Sequence, residues 1–351
     1  MSLYKLENIE QRYGGKTVLS IPDWSVAEGT ITGFYGPNGS GKSTLLRLLG
    51  FTDSPASGRV YFHGETPDIY SENPRRRVTL LPQESYLLKR TVYQNIAYGL
   101  RIRGDRKNEK QRISQAMALV GLEAQSFAQR PWYALSGGEA RRAAMAARLV
   151  LSPEVLLLDE PTAGVDVQSA RLMKQASADA HLKNGVTLVI ASHDLQWLED
   201  ICTDIFYMFD GKILGKGTRT FIFGPWEKTG ESGALCRLAD GQVFFAENAP
   251  EDPGSAAAAI APEELGLYLE KQDISPEKTA LQGILLRLAL EKHSGRIRAS
   301  ISAGHTEFIV YPDPESIHRK GFLPGAPVWL AYTPQKVEWF SSGDAPPISG
   351  F

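Results

Sequence analysis

The segment Gly36 to Thr44, GPNGSGKST, sets two glycines with four residues between them and follows the second with Lys42 and Ser43. That pattern suits a chain of phosphates. Glycines let backbone NH groups turn inward, a lysine neutralises the outer phosphates, and a serine hydroxyl is a ligand for magnesium. The candidate cradle comprises Gly36, Pro37, Asn38, Gly39, Ser40, Gly41, Lys42, Ser43 and Thr44. An apolar run, Ile31 to Tyr35, precedes it, and Leu45, Leu46, Leu48 and Leu49 follow at helical spacing, so it lies where a strand turns into a helix. A Gly-rich turn is the plain alternative, which this placement disfavours. Alone, the cradle suits a kinase, a GTPase or a motor.

Five further sites supply complementary chemistry. In VLLLDEPTAGVD an apolar run ends in two acids, as a parallel strand buried on both faces would. Asp159 is then placed to bind magnesium through water, and Glu160 to orient and deprotonate an attacking water. Val78 to Leu81 reads as another strand, ending at Pro82-Gln83; Gln83, at a carboxyl end, faces the crevice where open α/β sheets bind ligands and reaches a magnesium ion or the water. The buried strand Val186 to Ile190 leads to His193, which is predicted to contact the terminal phosphate. In LSGGE, Ser136 is a good N-cap, and Gly137 and Gly138 expose NH groups at a helix start, a second terminus fit for an anion. Tyr13, in the first hairpin, is an aromatic on which a purine could stack, although an exposed tyrosine beside a turn is more often there for packing.

The elements that must position these residues follow from periodicity. From Tyr4 to Gly33, alternating runs broken by Gly14-Gly15 and Glu28-Gly29 predict an antiparallel layer. Ser85 to Gly121 and Gln168 to Leu182 read as helical, and Ile205 to Leu214 as a closing hairpin around Asp210-Gly211. Beyond about Pro225 the period shortens to strands: Leu235 to Phe245, Ile284 to Leu290, Arg296 to Ile301, Glu307 to Tyr311 and Val328 to Tyr332, with turns such as Ser294-Gly295. These predict a small β-barrel, and Glu247 to Ala261 a Pro- and Ala-rich link.

The 351 residues suffice for two cores, and the net charge of −2 offers no general attraction to nucleic acid or anionic lipid. The charged run Arg101 to Arg112 is interrupted by acids and lacks aromatics, so it reads as a solvated helical face. No apolar run reaches the roughly 20 residues of a membrane span, and the first ten residues lack signal-peptide features. A cytoplasmic chain is expected, with Cys202 and Cys236 as buried free thiols.

Taken in order, Tyr13, GPNGSGKST, Gln83, LSGGE, VLLLDE, the loop Ala163-Gly164-Val165-Asp166 and His193 closely resemble the ATP-binding cassette ATPases, over residues 1–224. The resemblance implies a P-loop NTPase of α/β class, a RecA-like core with an antiparallel β subdomain and a helical subdomain. It also implies ATP and Mg2+ as cofactors. Tyr13 becomes the adenine-stacking ring, Gln83 the lid glutamine, Glu160 the catalytic base and His193 the switch histidine. Asp166 belongs to the nucleotide-binding set, and Ser136 and Gly138 act on nucleotide held by a partner cassette. One cassette per chain thus implies a homodimer around two ATP. Two departures are mild: Glu139 stands where Gln is common, and Ala163 to Asp166 replaces the more frequent Ser-Ala-Leu-Asp.

Residues 225–351 resemble the transport-associated, molybdate-binding-like (TOBE) domains of importer ATPases, an all-β OB-like barrel. Pro262-Glu263-Glu264 and Gly325 with Val328 carry that likeness, whereas Ala261 replaces a common Arg and Ser275 to Thr279 only loosely matches an oxyanion-gripping loop. An oxyanion ligand there and a purely bracing role are both open. Leu87 to Val92 lies where such cassettes receive a helix from an integral membrane permease. The implied function is the motor of an importer, peripheral on the inner face of the cell membrane and served indirectly by a solute-binding protein. Arg75 to Gly104 looks most like cassettes of tungstate importers, then molybdate; sulfate, iron or sugar importers are alternatives. A soluble cassette ATPase acting on ribosomes or DNA is the rival class.

Overall fold

The first unit, Met1–Lys216, is organised around strands too apolar to face water on either side. A computed structural model describes residues 2–67, 72–84, 86–217, 219–230, 232–291 and 295–340; Ser85 and Ser294, named above, lie outside them. Its strands are β1 (Ser2–Tyr13), β2 (Lys16–Ala27), β3 (Ile31–Tyr35), β4 (Ser57–Phe62), β5 (Val78–Leu81), β6 (Val155–Asp159), β7 (Thr187–Ser192), β8 (Asp204–Phe209) and β9 (Lys212–Lys216). Every residue of β6 and β7 is buried. A six-stranded sheet runs β5-β6-β7-β3-β8-β9, parallel except at the β8/β9 hairpin. The antiparallel layer β2-β1-β4 forms as expected.

Helices cover the sheet: α1 (Lys42–Leu49), α2 (Glu72–Arg77), α3 (Val92–Ile102), α4 (Glu109–Leu119), α5 (Ala124–Phe127), α6 (Gly137–Leu149), α7 (Val167–Asn184) and α8 (Leu195–Glu199). On one face, Leu45, Leu46, Leu48 and Leu49 of α1 pack with Phe34 of β3 and with Tyr4, Leu6 and Trp24 of the antiparallel layer. Burying each leucine contributes about 2 kcal/mol. On the other face, Ile96, Met117, Ala144, Met145 and Met173 pack against Leu158 and Ile190.

The second unit, Gly217–Pro346, begins before the expected boundary near residue 225, because its first strand pairs within it. It contains β10 (Thr220–Phe223), β11 (Trp226–Thr229), β12 (Gly233–Arg237), β13 (Val243–Ala246), β14 (Ala257–Ile260), β15 (Gly266–Tyr268), β16 (Thr279–Leu290), β17 (Ile297–Ala303), β18 (Thr306–Val310), one helix α9 (Pro314–Lys320) among the described residues, β19 (Pro327–Tyr332) and β20 (Glu338–Phe340). Sheets β10-β14-β20, β11-β12-β13 and β15-β19-β16-β17-β18 enclose a core where Phe244 stacks on Tyr332, centroids 4.7 Å apart. The segment expected to be a flexible link instead carries β14, buried throughout at the centre of its sheet. Alanine bulk is no obstacle there, since Phe221, Trp339 and Phe340 on the flanking strands supply the apolar surface.

Back in the first unit, one side chain on α6 ties a helix to two strand ends. Arg141 is 6% exposed and donates to five backbone carbonyls. Nη1 reaches Pro82 O and Gln83 O beyond β5, Nη2 reaches Asp159 O and Glu160 O at the end of β6, and Nε reaches Pro161 O. Burial pushes its pKa down to about 10, partly opposed by Asp159, so the guanidinium stays charged near neutrality. Arg141→Ala should cost about 3 kcal/mol in urea unfolding of the first unit, since it orphans buried acceptors. Arg141→Lys should recover less than half of that, because an ammonium cannot span both loops. A loss under about 0.5 kcal/mol for the alanine variant would mean that water satisfies the carbonyls instead.

Candidate functional site

The carboxyl ends of β3, β5, β6 and β7 open on one edge, as parallel alignment requires. The loop after β3 approaches the backbone so closely that a Cβ on Gly36 would lie 2.1 Å from Met208 O. The helix that follows has no side-chain cap, so its first NH groups stay available. Pro37, Asn38 and Gly39 are exposed, while Ser40 is buried and its hydroxyl has no partner among the described residues. Lys42, 6% exposed, folds back so that Nζ donates to Gly36 O at 2.7 Å and Pro37 O at 3.0 Å. Burial lowers its pKa, against the raising pull of Glu160 and Asp159.

Ser43 Oγ donates to Asp159 Oδ1 at 3.0 Å, joining hydroxyl and carboxylate oxygens at one point. Hard oxygen donors of this kind fit magnesium, and the unpartnered Ser40 hydroxyl fits a phosphate oxygen. Burial raises the Asp159 pKa, opposed by the Ser43 hydrogen bond. Thr44 is buried at the first turn of α1.

Glu160 is the tightest point of the edge. It takes φ 45°, the left-handed region, at a cost of about 1 to 2 kcal/mol, and its NH bonds Ala191 O at 2.8 Å. One carboxylate oxygen, Oε2, accepts from Ser192 Oγ and His193 N, each at 3.3 Å, and lies 2.8 Å from His193 Nδ1. The other, Oε1, is buried without a hydrogen-bond partner among the described residues and pairs with Lys42 Nζ at 4.0 Å. The structure therefore sets His193 on Glu160, with an imidazole that is otherwise largely exposed.

The remaining expected residues divide. Gln83 lies just past β5, its side chain exposed and its carbonyl held by Arg141. Tyr13 ends β1 and is 43% exposed. Ser136, Gly137, Gly138 and Asp166 form a second group on α6 and α7. Ser136 and Glu139 close a capping box, so a carboxylate sits where the second anion-binding terminus was expected. Asp166 caps α7 through Ser169 N and Ser169 Oγ, and a Cβ on Gly138 would lie 2.5 Å from its Oδ2. No hydrogen bond or ion pair joins this group to Lys42, Asp159 or Glu160 among the described residues. In the second unit, Ser275 Oγ donates to Glu277 Oε1 at 3.0 Å.

Sequence reasoning missed Arg141 and Ser192. A signal for Arg141 exists: it shares a helical stripe with buried Ala144 and Met145, where an apolar residue is expected. Ser192 carries none, being one more small residue at a strand end.

Residues 19–163 match the ABC transporter family. The tungstate uptake system ATP-binding protein of Peptoclostridium acidaminophilum is 37% identical over 209 residues, which cover 59% of this chain and 95% of that protein. An Fe(3+) ions import ATP-binding protein of Pasteurella multocida is 33% identical over 214 residues, 60% of each chain. A probable sulfate/thiosulfate import ATP-binding protein of Chlorella vulgaris is 33% identical, covering 61% of this chain and 90% of that one. Among solved structures, a component of an ABC transporter complex from Clostridium perfringens superposes with TM-score 0.55 at 28% identity, covering 62% and 88%. A dimeric ATP-binding cassette bound to ADP and phosphate superposes with TM-score 0.57 at 26% identity, covering 61% and 98%. The tungstate relative, matched over nearly its whole length, and the phosphate loop built on β3 and α1 lead to one conclusion: this chain belongs to the ABC transporter family, among its ATP-binding proteins.

Proposed function

We propose that this chain, an ABC-type ATPase that uses ATP with Mg2+, is the motor of an importer whose cargo is tungstate, with molybdate second. Two copies close on two ATP at their shared interface. The observation that carries the site assignment is the divided carboxylate of Glu160: one oxygen is engaged by Ser192 and His193, and the other is paired with Lys42 at 4.0 Å and has no hydrogen-bond partner among the described residues. Glu160 then accepts the proton of the attacking water at Oε1, while His193 and Ser192 hold its orientation. Lys42 and the loop NH groups bind the outer phosphates. Ser43 and Asp159 hold magnesium, which supplies charge neutralisation on the phosphate oxygens when bound. Gln83, exposed just past β5, reaches the magnesium ion or the attacking water, and Tyr13 stacks on adenine.

Ser136, Gly137 and Gly138, with Asp166 behind them, complete the partner's site. The capping box leaves the NH groups of Gly137 and Gly138 to face that phosphate. Permease docking falls on the stretch Leu87 to Val92. Its backbone pairs with Arg130 to Trp132, and Tyr86, Leu88, Tyr98, Trp132 and Tyr133 expose aromatic and apolar surface around it. No helix among the described residues is long and apolar enough to cross a membrane, so an importer needs a separate permease. The cargo is taken from the tungstate relative, whereas other relatives are named for the import of iron or sulfate. The second unit is read as TOBE-like. Its three antiparallel sheets suit a bracing role, and the Glu277 carboxylate on Ser275 disfavours an oxyanion in that loop.

Glu160→Gln should bind ATP and dimerise on it by size-exclusion chromatography, yet hydrolyse at least about a hundredfold slower; sustained turnover would move the base elsewhere. Leu88→Glu should leave the ATPase rate of the isolated subunit unchanged and abolish co-purification with the permease. Retained co-purification would place docking on another face. In the reconstituted complex, binding protein loaded with tungstate or molybdate should stimulate ATP hydrolysis; a response only to sulfate, ferric iron or sugar would overturn the cargo.

A further inference from the structure

A tyrosine beside a glycine turn has little to hold it. Tyr13 precedes Gly14-Gly15 and is 43% exposed, so packing alone leaves the ring to sample several rotamers. The structure fixes it by its hydroxyl instead. Tyr13 Oη donates to Asp53 Oδ2 at 2.8 Å, and Arg47 Nη2 donates to Tyr13 Oη at 3.1 Å. The triangle closes through Arg47 Nε, which donates to the same Asp53 oxygen at 3.1 Å. The guanidinium lies over one side of the ring, its carbon 5.7 Å from the centroid.

Arg47 is also a residue of α1, the helix that begins in the phosphate loop, and its Nη2 reaches Thr44 Oγ1 at 3.3 Å. Asp53 is tied to the same helix end, where Thr52 N and Asp53 N both bond Arg47 O. The ring on one subdomain is therefore indexed to the loop on another. A purely packed tyrosine would gain nothing from that connection. A ring meant to take a base at a fixed distance from bound phosphates would.

We propose that Arg47 and Asp53 are positioning residues for the nucleobase: they clamp the Tyr13 hydroxyl so that the ring's other face is held ready for adenine. The clamp rests on the reading of Tyr13 as the base-stacking residue. Preorganisation lowers the entropic cost of binding, so its loss weakens whatever contacts the base and leaves phosphate contacts alone.

The full chain would be titrated by calorimetry in EDTA, where ATP is not consumed, with ATP and with inorganic tripolyphosphate, which has no base. Tyr13→Phe keeps the ring and removes both hydroxyl bonds; it and Asp53→Ala are each expected to weaken ATP about three- to tenfold and leave tripolyphosphate unchanged. Arg47→Ala should behave in the same way. Thermal melts of each variant establish that it folds. If Tyr13→Phe binds ATP as tightly as wild type while Tyr13→Ala does not, the clamp is overturned and stacking stands. If Arg47→Ala weakens ATP and tripolyphosphate equally, Arg47 acts on phosphate and the clamp is overturned. If Tyr13→Ala changes neither ligand, the stacking reading itself falls, and the clamp with it.

Discussion

Two carboxylates and an ammonium are buried together at the end of a sheet, and the balance among them governs the rest of the molecule. Asp159, Glu160 and Lys42 are each about 6% exposed or less. Burial pushes Lys42 toward neutrality and Asp159 toward protonation, and each charge opposes the shift of the other. Such a cluster contributes little net stability, and removing one member typically costs about 3 to 5 kcal/mol. The surrounding architecture supplies what it needs: hydroxyls from Ser43 and Ser192, the NH of His193, and carbonyls of Gly36 and Pro37. Parallel strands deliver many loop ends to one edge, and β6 and β7 stay apolar from Val155 to Leu158 and from Leu188 to Ala191 before they end in Asp159 and Ser192.

Much of that edge was legible in the sequence because it is local. The cradle, the strand that ends in two acids and the strand that ends at His193 each declare themselves within a dozen residues. Periodicity likewise located β1 and β2, and the hairpins of the second unit. What stayed hidden depends on contacts distant along the chain. Arg141 meets its carbonyls across 18 to 59 residues, and a single sequence gives no register between a helix and the loops it will touch. The Glu160–His193 contact spans 33 residues, so the histidine could be assigned to the crevice without its partner being identified.

The alanine-rich strand β14 was hidden for a different reason. Composition measures how much apolar surface a segment brings, and Ala257 to Ala259 bring little. Their burial is decided by neighbours: Phe221 and Trp339 lie opposite them, and small residues let those rings close over the strand. Links and buried strands of this kind differ in their surroundings more than in their own residues.

The contacts of Arg141 carry a consequence for how such a machine can drift. Its hydrogen bonds to Pro82, Gln83, Asp159, Glu160 and Pro161 go to main-chain oxygens, and every amino acid has that atom. Side chains on the two loops are thus free to be exchanged without loosening the framework that carries them. A substitution at Gln83 leaves that main-chain bond in place, whereas the arginine beneath it has no equivalent substitute.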